Sequence, residues 1–230
     1  MTYKYETHCH TNSGSYCSAI SPQELVDLYV ANGYSGIFIT EHFFNCSSSV
    51  AYGRTDMTFD EKIDAIFSGY ERAKEYAKGK LDVFFAFEYA YKGTDLLVYG
   101  WEKEELKTLK EIEYYKTSDF IEWAQENGAF VVQAHPFREA YYIDHIRLFT
   151  ATQGVETFNA CRTESENKLA RLYAQEKGKS FTGGSDLHHA DQQVLSGMEF
   201  EEKITDVKQF ISLVKEGKGK IIRQANAMLE

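Results

Sequence analysis

Short apolar runs of strand length alternate along the chain with longer segments whose apolar residues recur at helical spacing. The runs that predict strands are residues 3–10, 36–40, 81–87, 96–99, 129–133, 154–158, 180–183 and 219–222. The segments that predict helices are residues 21–33, 59–79, 117–127, 164–177 and 207–214. Strands that alternate with helices and are apolar along most of their length indicate an α/β fold with a parallel sheet covered by helices.

The number of units and the chain length favour a barrel. About seven strand–helix units in 230 residues fit a compact barrel better than an open sheet. We find no internal repeat and no interdomain linker in the sequence. We therefore expect one barrel domain that spans residues 1–230.

The clearest local signal is the helix start at Ser21-Pro22-Gln23-Glu24. Ser21 is a good N-cap, Pro22 suits the first helical position, and Glu24 follows the cap by three residues, as in a capping box. The helix is expected to end at Asn32-Gly33.

Residues 43–58 form a long polar, serine-rich segment, which predicts a loop that leaves the end of the second strand. Arg54, Phe43, Phe44 and Tyr52 could make it a lid or a wall of a substrate pocket. Disorder of this loop in the free protein is the open alternative.

Composition excludes several classes of function. The net charge of −10 disfavours a general nucleic-acid or anionic-membrane surface. The chain has no run of 18 apolar residues, and its first residues have no apolar signal core. Four cysteines without a CxxC pair fit a reduced, cytoplasmic setting.

Residues of the types that bind metal ions or transfer protons lie at the ends of the predicted strands. Asp95 is the exception, because it stands at the beginning of its strand. These residues are His8, His10, Glu41, His42, Glu88, Asp95, His135, Glu156, Asn159, Asp186 and His188. In a parallel barrel the carboxyl ends of the strands meet at one rim, where the active site lies. Strand alternation puts His8 and His10 on one face, with Cα atoms about 6–7 Å apart. Imidazole and carboxylate ligands suit zinc, manganese or iron, so the sequence predicts a metal site at this rim.

Two further residues are assigned no role in the site. His145 lies on an amphipathic stretch and is expected to be structural or at the surface. Cys9 points away from its histidine neighbours and is expected to pack in the core.

Taken together, the motifs resemble the PHP (polymerase and histidinol phosphatase) family over nearly the whole chain. The motifs that match in the family's order are His8-x-His10-Thr11, Ser21-Pro22-Gln23-Glu24-Leu25, Ile39-Thr40-Glu41-His42, Glu88, Ala134-His135-Pro136-Phe137, Phe158-Asn159-Ala160 and Gly184-Ser185-Asp186-x-His188. The resemblance implies a distorted seven-stranded (β/α)7 TIM-like barrel that holds two or three divalent metal ions and hydrolyses a phosphate ester.

The resemblance also implies a ligand set. By position in the family pattern, the first ion would be held by His8, His10, Glu88 and Asp186. Glu88 would bridge to a second ion, held also by His135 and Asp95. The third would be held by His42 and His188. Asp95 stands where many relatives have histidine, and aspartate is a competent ligand.

The third ion site departs from the family pattern. Relatives commonly carry Asp or His shortly after the His-x-His motif, and residues 11–18 of this chain contain neither. Cys17 is either a substitute thiolate ligand or an ordinary loop cysteine. The chain therefore has a complete ligand set for two ions.

Divalent ions supply a hydroxide nucleophile and stabilise phosphoryl charge, so the expected chemistry is metal-dependent hydrolysis of a phosphoric ester. His42 or His188, where not ligating, could assist the leaving oxygen. Arg138 and Arg162 follow two rim strands and are either phosphate anchors or surface arginines. The charges of Glu88, Asp95 and Asp186 would be offset by the ions, so the acidic chain is compatible with an anionic substrate.

We expect the substrate to be a small phosphomonoester, such as histidinol phosphate or a nucleotide. A nuclease or phosphodiesterase of the same metal chemistry is one alternative, which the net charge disfavours. A non-catalytic, metal-stabilised PHP module is the other. No membrane partner is expected, and the oligomeric state stays open.

Overall fold

The fold is taken from a computed structural model that describes residues 1–115 and 117–229. The strands are β1 (Tyr3–Cys9), β2 (Gly36–His42), β3 (Asp82–Tyr91), β4 (Thr94–Tyr99), β5 (Phe130–Gln133), β6 (Gly154–Asn159), β7 (Ser180–Gly184), β8 (Val194–Phe200) and β9 (Lys220–Ala225). The α-helices are α1 (Pro22–Ala31), α2 (Phe59–Ala77), α3 (Lys103–Thr108), α4 (Thr117–Glu126), α5 (Glu164–Glu176) and α6 (Val207–Lys215). Short 3₁₀ turns cover Lys110–Glu113 and Ala227–Leu229.

All nine strands form one mixed sheet in the order β7-β6-β5-β4-β3-β2-β1-β8-β9. β1, β2 and β3 are parallel, as are β5, β6 and β7. β4 runs antiparallel to both of its neighbours, and β8 runs antiparallel to β1 and β9. The predicted α/β class is confirmed, but the prediction of seven strands with regular strand–helix alternation is not.

The sheet curls into a nearly closed barrel. Cys9 forms a parallel bridge with Leu187, whose carbonyl oxygen accepts a hydrogen bond of 3.0 Å from the His10 N–H. Thr7 Oγ1 donates to the Gly183 carbonyl oxygen at 2.8 Å. We call this contact of residues 7–10 with residues 183–187 the barrel seam. At the other end of β1, residues Tyr3–Tyr5 pair instead with β8.

The break in strand–helix alternation lies at the β3–β4 hairpin. Lys92 and Gly93 both have positive φ, 51° and 79°, which is typical of the tight turns that join antiparallel strands. β4 therefore starts at the end of the barrel where the parallel strands finish. This topology brings Asp95, at the beginning of β4, to the predicted rim.

β8 and α3 are absent from the predicted elements. β8 has Gly197 at its centre, and glycine weakens a strand signal. A Cβ atom on Gly197 would overlap the carbonyl oxygen of Tyr5, so glycine is what lets β8 approach β1. The helix start at Ser21 is confirmed, because Ser21 and Glu24 form the reciprocal capping box.

The core lies on both faces of the curled sheet. Three large clusters are centred on Phe67 and Phe87 under α2, on Leu25 and Tyr29 of α1, and on Phe210 of α6. Cys9 is fully buried in the second of these clusters, as expected. Among the described residues, no helix has both the length and the apolar character needed to cross a bilayer.

Candidate metal centre

Eight predicted ligands converge at one end of the barrel, and we call them the ligand rim. They are His8, His10, His42, Glu88, Asp95, His135, Asp186 and His188. His8 and His42 lie in β1 and β2, and His10 follows β1 directly. His135 and Asp186 each follow a strand end by two residues.

Glu88 lies at the centre of the rim. Its Oε1 is 3.3 Å from His135 Nε2 and 3.5 Å from His8 Nε2. Its Oε2 is 3.2 Å from His42 Nδ1 and 3.3 Å from His10 Nε2. Each oxygen thus faces its own pair of imidazoles, which is the arrangement that a bridging carboxylate requires.

Two aspartates complete the rim. Asp186 Oδ1 is 3.5 Å from His8 Nε2 and 3.7 Å from His10 Nε2. Asp95 Oδ2 is 3.9 Å from His135 Nε2, on the far side of the centre. His188 donates from Nδ1 to the carbonyl oxygen of Asp186 at 2.8 Å, which leaves its Nε2 available as a ligand.

The donor set fits divalent metal ions. Three buried nitrogens, His8 Nε2, His10 Nε2 and His42 Nδ1, have no hydrogen-bond partner among the described residues. An unpaired buried polar atom costs about 1–3 kcal/mol, and a cation would remove that cost. The ligand atoms form four groups in which all atoms lie within 4.8 Å: His10/His42/His188, His8/His135/Asp186, His8/His10/Glu88 and Glu88/Asp95/His135. In the part of the chain that the structure describes, Cys17 belongs to none of these groups.

The electrostatics of the rim are strongly coupled. Burial opposes ionisation of Glu88, but His42 and His8 outweigh it and hold the pKa of Glu88 well below its usual range. Burial also opposes charge on His8, yet Glu156, Asp186 and Glu88 raise its pKa. Burial, together with His188 and His42, lowers the pKa of His10 to about 3. The rim therefore offers His10 as a neutral imidazole beside ionised carboxylates, which is the state that metals bind.

Two rim residues have unusual backbone conformations. His135 has φ 28° and Asp186 has φ 51°, although neither is glycine. Such conformations cost about 1–3 kcal/mol and persist only where the surroundings fix them. They turn both side chains inward directly after their strands end.

Three buried glutamates, Glu6, Glu41 and Glu156, lie beneath the rim, and we call them the carboxylate layer. Glu6 accepts hydrogen bonds from the N–H groups of His8 (2.7 Å) and Ser185 (2.9 Å) and from the Tyr29 hydroxyl (2.6 Å). The bond from Ser185 joins the two sides of the barrel seam. Burial nevertheless raises the pKa of Glu6 to about 7.

Glu41 is held in the same manner. Its Oε2 accepts a 2.6 Å hydrogen bond from Ser15 Oγ, which in turn accepts 3.0 Å from the His42 N–H. Thr11 also donates to it from its N–H at 3.2 Å. Burial raises the pKa of Glu41 to about 7. Glycine at position 69 leaves room for this group, because a Cβ atom would overlap Glu41 Oε1 and Thr11 Oγ1.

The sequence predicts that Glu41 and Glu156 lie at the rim, but it indicates no role for either of them. It gives no prediction for Glu6. A usable signal exists for Glu6, since it is an acidic residue in the middle of a predicted strand and shares the strand face of His8. No comparable pattern separates Glu41 from His42, because both end β2.

A cavity of about 590 Å³ opens onto the rim. Its walls include Lys92, Arg138 and Arg162 as basic residues and Tyr52 and Tyr142 as aromatic ones. Both predicted phosphate anchors thus lie at the cavity. Arg138 Nη1 contacts Asp95 Oδ2 at 3.4 Å, and its Nη2 donates to the Tyr142 hydroxyl.

Arg162 differs from Arg138 in its carboxylate contacts. It forms no ion pair within 4.0 Å among the described residues, whereas Arg138 contacts Asp95. The buried Nε atoms of both arginines have no hydrogen-bond partner there. Cys17 also lines the cavity. His145 is exposed and lies 3.0 Å from Asp144, in agreement with its expected surface position.

The segment of residues 43–58 forms a wall of the cavity, as predicted, but through other residues than most of those expected. Its lining residues are Asn45, Cys46, Ser47, Ser48 and Tyr52. Phe43 and Phe44 are instead buried in the core under α2, with the Phe43 and Phe87 ring centroids 4.9 Å apart, so they cannot form a lid. Arg54 pairs with Asp56 at 2.7 Å on the surface.

Comparison with known proteins agrees with the resemblance to the PHP family. A family model described as PHP-associated matches residues 164–218, which include Asp186 and His188. A two-domain Bacteroides vulgatus protein, described as containing a predicted PHP-like metal-dependent phosphoesterase, superposes with a TM-score of 0.70 at 15% identity. The match covers 96% of this chain and 65% of that protein, so this chain spans less than two thirds of its length. The chain has a PHP-like fold.

Two further structures share the PHP-like fold. A proposed metal-dependent phosphoesterase from Bifidobacterium adolescentis has a TM-score of 0.58 at 14% identity, with 93% of this chain and 96% of that chain covered. A lesion-specific endonuclease from Pyrococcus furiosus has a TM-score of 0.62 at 11% identity, with 96% and 58% covered. No curated protein sequence matches the chain. The resemblance to the PHP family is confirmed, and the shared fold does not by itself select a substrate.

Proposed function

We propose that the protein is a metal-dependent phosphoesterase that hydrolyses a small phosphomonoester. One observation carries the proposal: buried imidazole nitrogens surround the central carboxylate of Glu88 at the floor of a cavity, and Arg162 lies in the wall of that cavity. Among the described residues, three of these nitrogens have no hydrogen-bond partner and Arg162 pairs with no carboxylate. The PHP-like fold and the phosphoesterase descriptions of two structural neighbours support it.

The rim residues would divide the work. His8, His10, Glu88 and Asp186 would hold one ion, and Glu88, His135 and Asp95 a second, with His42 and His188 left for a third. Bound divalent ions supply Lewis acidity and a hydroxide nucleophile at neutral pH. His188 or His42, where it does not ligate, would donate a proton to the leaving oxygen. The Nδ1 hydrogen bond of His188 to a carbonyl oxygen fixes its ring for either role.

Arg162 is the better phosphate anchor of the two arginines. Its guanidinium is not committed to a carboxylate, whereas Arg138 already contacts Asp95 and Tyr142. Arginine binds phosphate oxygens through paired N–H groups, which gives orientation as well as charge. We assign Arg138 a weaker contact with substrate and a larger role in holding Asp95.

The cavity walls favour a leaving group with a ring. Tyr52 and Tyr142 line the cavity and are 52% and 50% exposed. Half-exposed tyrosines offer flat apolar faces at a low cost in conformational entropy. A nucleoside or imidazole-bearing phosphate fits such walls better than an aliphatic phosphate does.

The decisive experiment is hydrolysis measured on protein of known metal content. We expect turnover of p-nitrophenyl phosphate and of members of a phosphorylated-metabolite panel, and little turnover of bis(p-nitrophenyl) phosphate. Arg162→Met should raise KM for the monoester about tenfold or more, while Arg171→Met, an exposed arginine on α5, should not change it.

Other outcomes would select the alternatives. Preferred cleavage of the diester or of single-stranded DNA, with a steep salt dependence, would favour a nuclease. Bound metal without turnover of any phosphate ester would indicate a non-catalytic module.

A further inference from the structure

Glu156 connects two residues of the ligand rim that belong to different strands. It is buried at the third position of β6. Its Oε1 lies 2.9 Å from His8 Nδ1, and its Oε2 accepts hydrogen bonds from the His135 N–H (3.0 Å) and from Asn159 Nδ2 (2.9 Å). One carboxylate therefore contacts His8 at its ring and His135 at its backbone.

We propose that Glu156 is a positioning residue that fixes which nitrogen of His8 faces the metal centre and holds His135 in its left-handed backbone conformation. The inference rests on the proposed metal centre but not on the choice of substrate, because Glu156 lies beneath the rim and does not line the cavity.

The argument for His8 concerns the position of its ring proton. Glu156 Oε2 accepts from two N–H groups and its Oε1 faces His8, so we infer that His8 Nδ1 carries a proton and donates it to Oε1. The other nitrogen, Nε2, lies 3.5 Å from both Glu88 Oε1 and Asp186 Oδ1 and has no hydrogen-bond partner in the described chain. A carboxylate behind a ligating histidine fixes its tautomer and increases its basicity.

The argument for His135 concerns strain. Its φ of 28° is costly for a residue with a side chain, and the hydrogen bond from its N–H to Glu156 helps to fix that conformation. Asn159 extends the network, because its Nδ2 also lies 3.3 Å from Asp186 Oδ2. Three rim residues are thus connected to the same carboxylate.

His8 and Glu156 leave no room for a side chain at position 184. A Cβ atom on Gly184 would overlap His8 Cβ and lie 2.9 Å from Glu156 Oε1. Glycine at this position allows β7 to approach β1 while His8 and Glu156 remain in contact.

The test is Glu156→Gln, which changes neither size nor shape. Glutamine has one acceptor oxygen and one donating NH₂ group, whereas all three partners of Glu156 are donors. Either orientation of the amide sets a donor against the N–H of His8 or of His135. We expect zinc affinity, measured by competition with a chelator, to fall about 10- to 100-fold.

Two matched variants separate this role from general destabilisation. Glu166→Gln makes the same change at a glutamate that is 9% exposed and accepts from the Thr163 and Glu139 N–H groups. It should lower stability without changing zinc affinity. Glu156→Asp retains two acceptor oxygens, so its zinc affinity should lie between those of wild type and Glu156→Gln.

A direct readout is the nitrogen NMR spectrum of the zinc-loaded protein labelled in histidine. The wild type should show a protonated Nδ1 on His8, and Glu156→Gln should lose or shift that signal. Zinc affinity within twofold of wild type in both Glu156 variants, with an unchanged His8 signal, would overturn the inference. A wild type that binds zinc but hydrolyses no phosphate ester would contradict only the proposed function.

Discussion

The ligand rim and the carboxylate layer beneath it accommodate buried charge in opposite ways. In the layer, Glu6 and Glu41 are surrounded by N–H and hydroxyl donors that the chain itself supplies. In the rim, Glu88 faces imidazole nitrogens at 3.2–3.5 Å, and three of these nitrogens have no hydrogen-bond partner in the described residues. The layer is satisfied by folding alone, whereas the rim would be completed by a cation.

The pKa values of the two regions differ accordingly. Burial dominates in the layer and raises the pKa of Glu6 and of Glu41 to about 7. In the rim the neighbouring imidazoles outweigh burial at Glu88 and Asp186 and keep their pKa values well below the usual range. At Asp95, which is farther from the imidazoles, burial prevails and raises the pKa to about 6. The difference teaches that a buried carboxylate is not by itself a metal ligand, and that its neighbours decide between structure and chemistry.

The largest effect should come from the rim. Asp186→Asn keeps the left-handed backbone, which asparagine tolerates, but removes the charge that faces His8 and His10. We expect metal content and phosphate-ester hydrolysis to fall together, by more than about 100-fold, since a ligand is lost and not an outer residue. Elemental analysis and turnover measure both, and full activity in this variant would refute the rim assignment.

The second-largest effect is expected from the carboxylate layer, as a loss of stability that is measurable in the metal-free protein. Glu6→Ala leaves the donors of His8, Ser185 and Tyr29 buried and unpaired. We expect the free energy of unfolding of the metal-free protein to fall by about 3 kcal/mol in urea. Glu75→Ala, on the exposed side of α2, should change it by less than about 0.5 kcal/mol. A loss below about 1 kcal/mol for Glu6→Ala would remove the distinction between the two regions.

A smaller structural effect is expected on the helix that packs against the layer. Gly69→Ala should stabilise α2 by about 1 kcal/mol through helix propensity. The added Cβ would overlap Glu41 Oε1 and Thr11 Oγ1, which costs about 1–3 kcal/mol. We expect a net loss of about 1 kcal/mol in urea unfolding. A more stable variant would show that Glu41 is held less firmly than its contacts indicate.

The smallest effect should come from Cys17→Ser. Its thiol lines the cavity but belongs to none of the ligand groups in the described chain. We expect the number of bound zinc ions per chain to stay the same by elemental analysis. Loss of one ion would instead assign Cys17 to the third site.

Much of this architecture could be predicted, because strand alternation and strand ends are local signals. The capping box at Ser21 and the convergence of His8, His10, His42 and His135 at one barrel end follow from sequence order and strand direction. The prediction that Asp95 lies at the rim is also confirmed, but it did not include the direction of its strand. It reaches the rim because β4 runs antiparallel, and a strand's direction is set by its partners.

The remaining features depend on contacts between distant segments. In the sequence, Gly197 indicates an interruption of a strand. Only the structure shows that β8 packs so closely against Tyr5 that glycine is needed there. Phe43 and Phe44 read as lid residues because a polar loop follows them, yet the core under α2 buries both. Glu156 resembles any other residue at a strand end until His8 is found 2.9 Å away.

The barrel seam has a consequence for local unfolding. β1 meets the segment after β7 through few backbone contacts, so we expect the barrel to open first between these two segments. His8 and His10 lie on one side of the seam and Asp186 on the other. An ion held by all three would fasten the seam. The two sides of the seam could then separate only after the ion dissociates, and the exchange of the His10 and Leu187 amide protons would report the residence time of the metal.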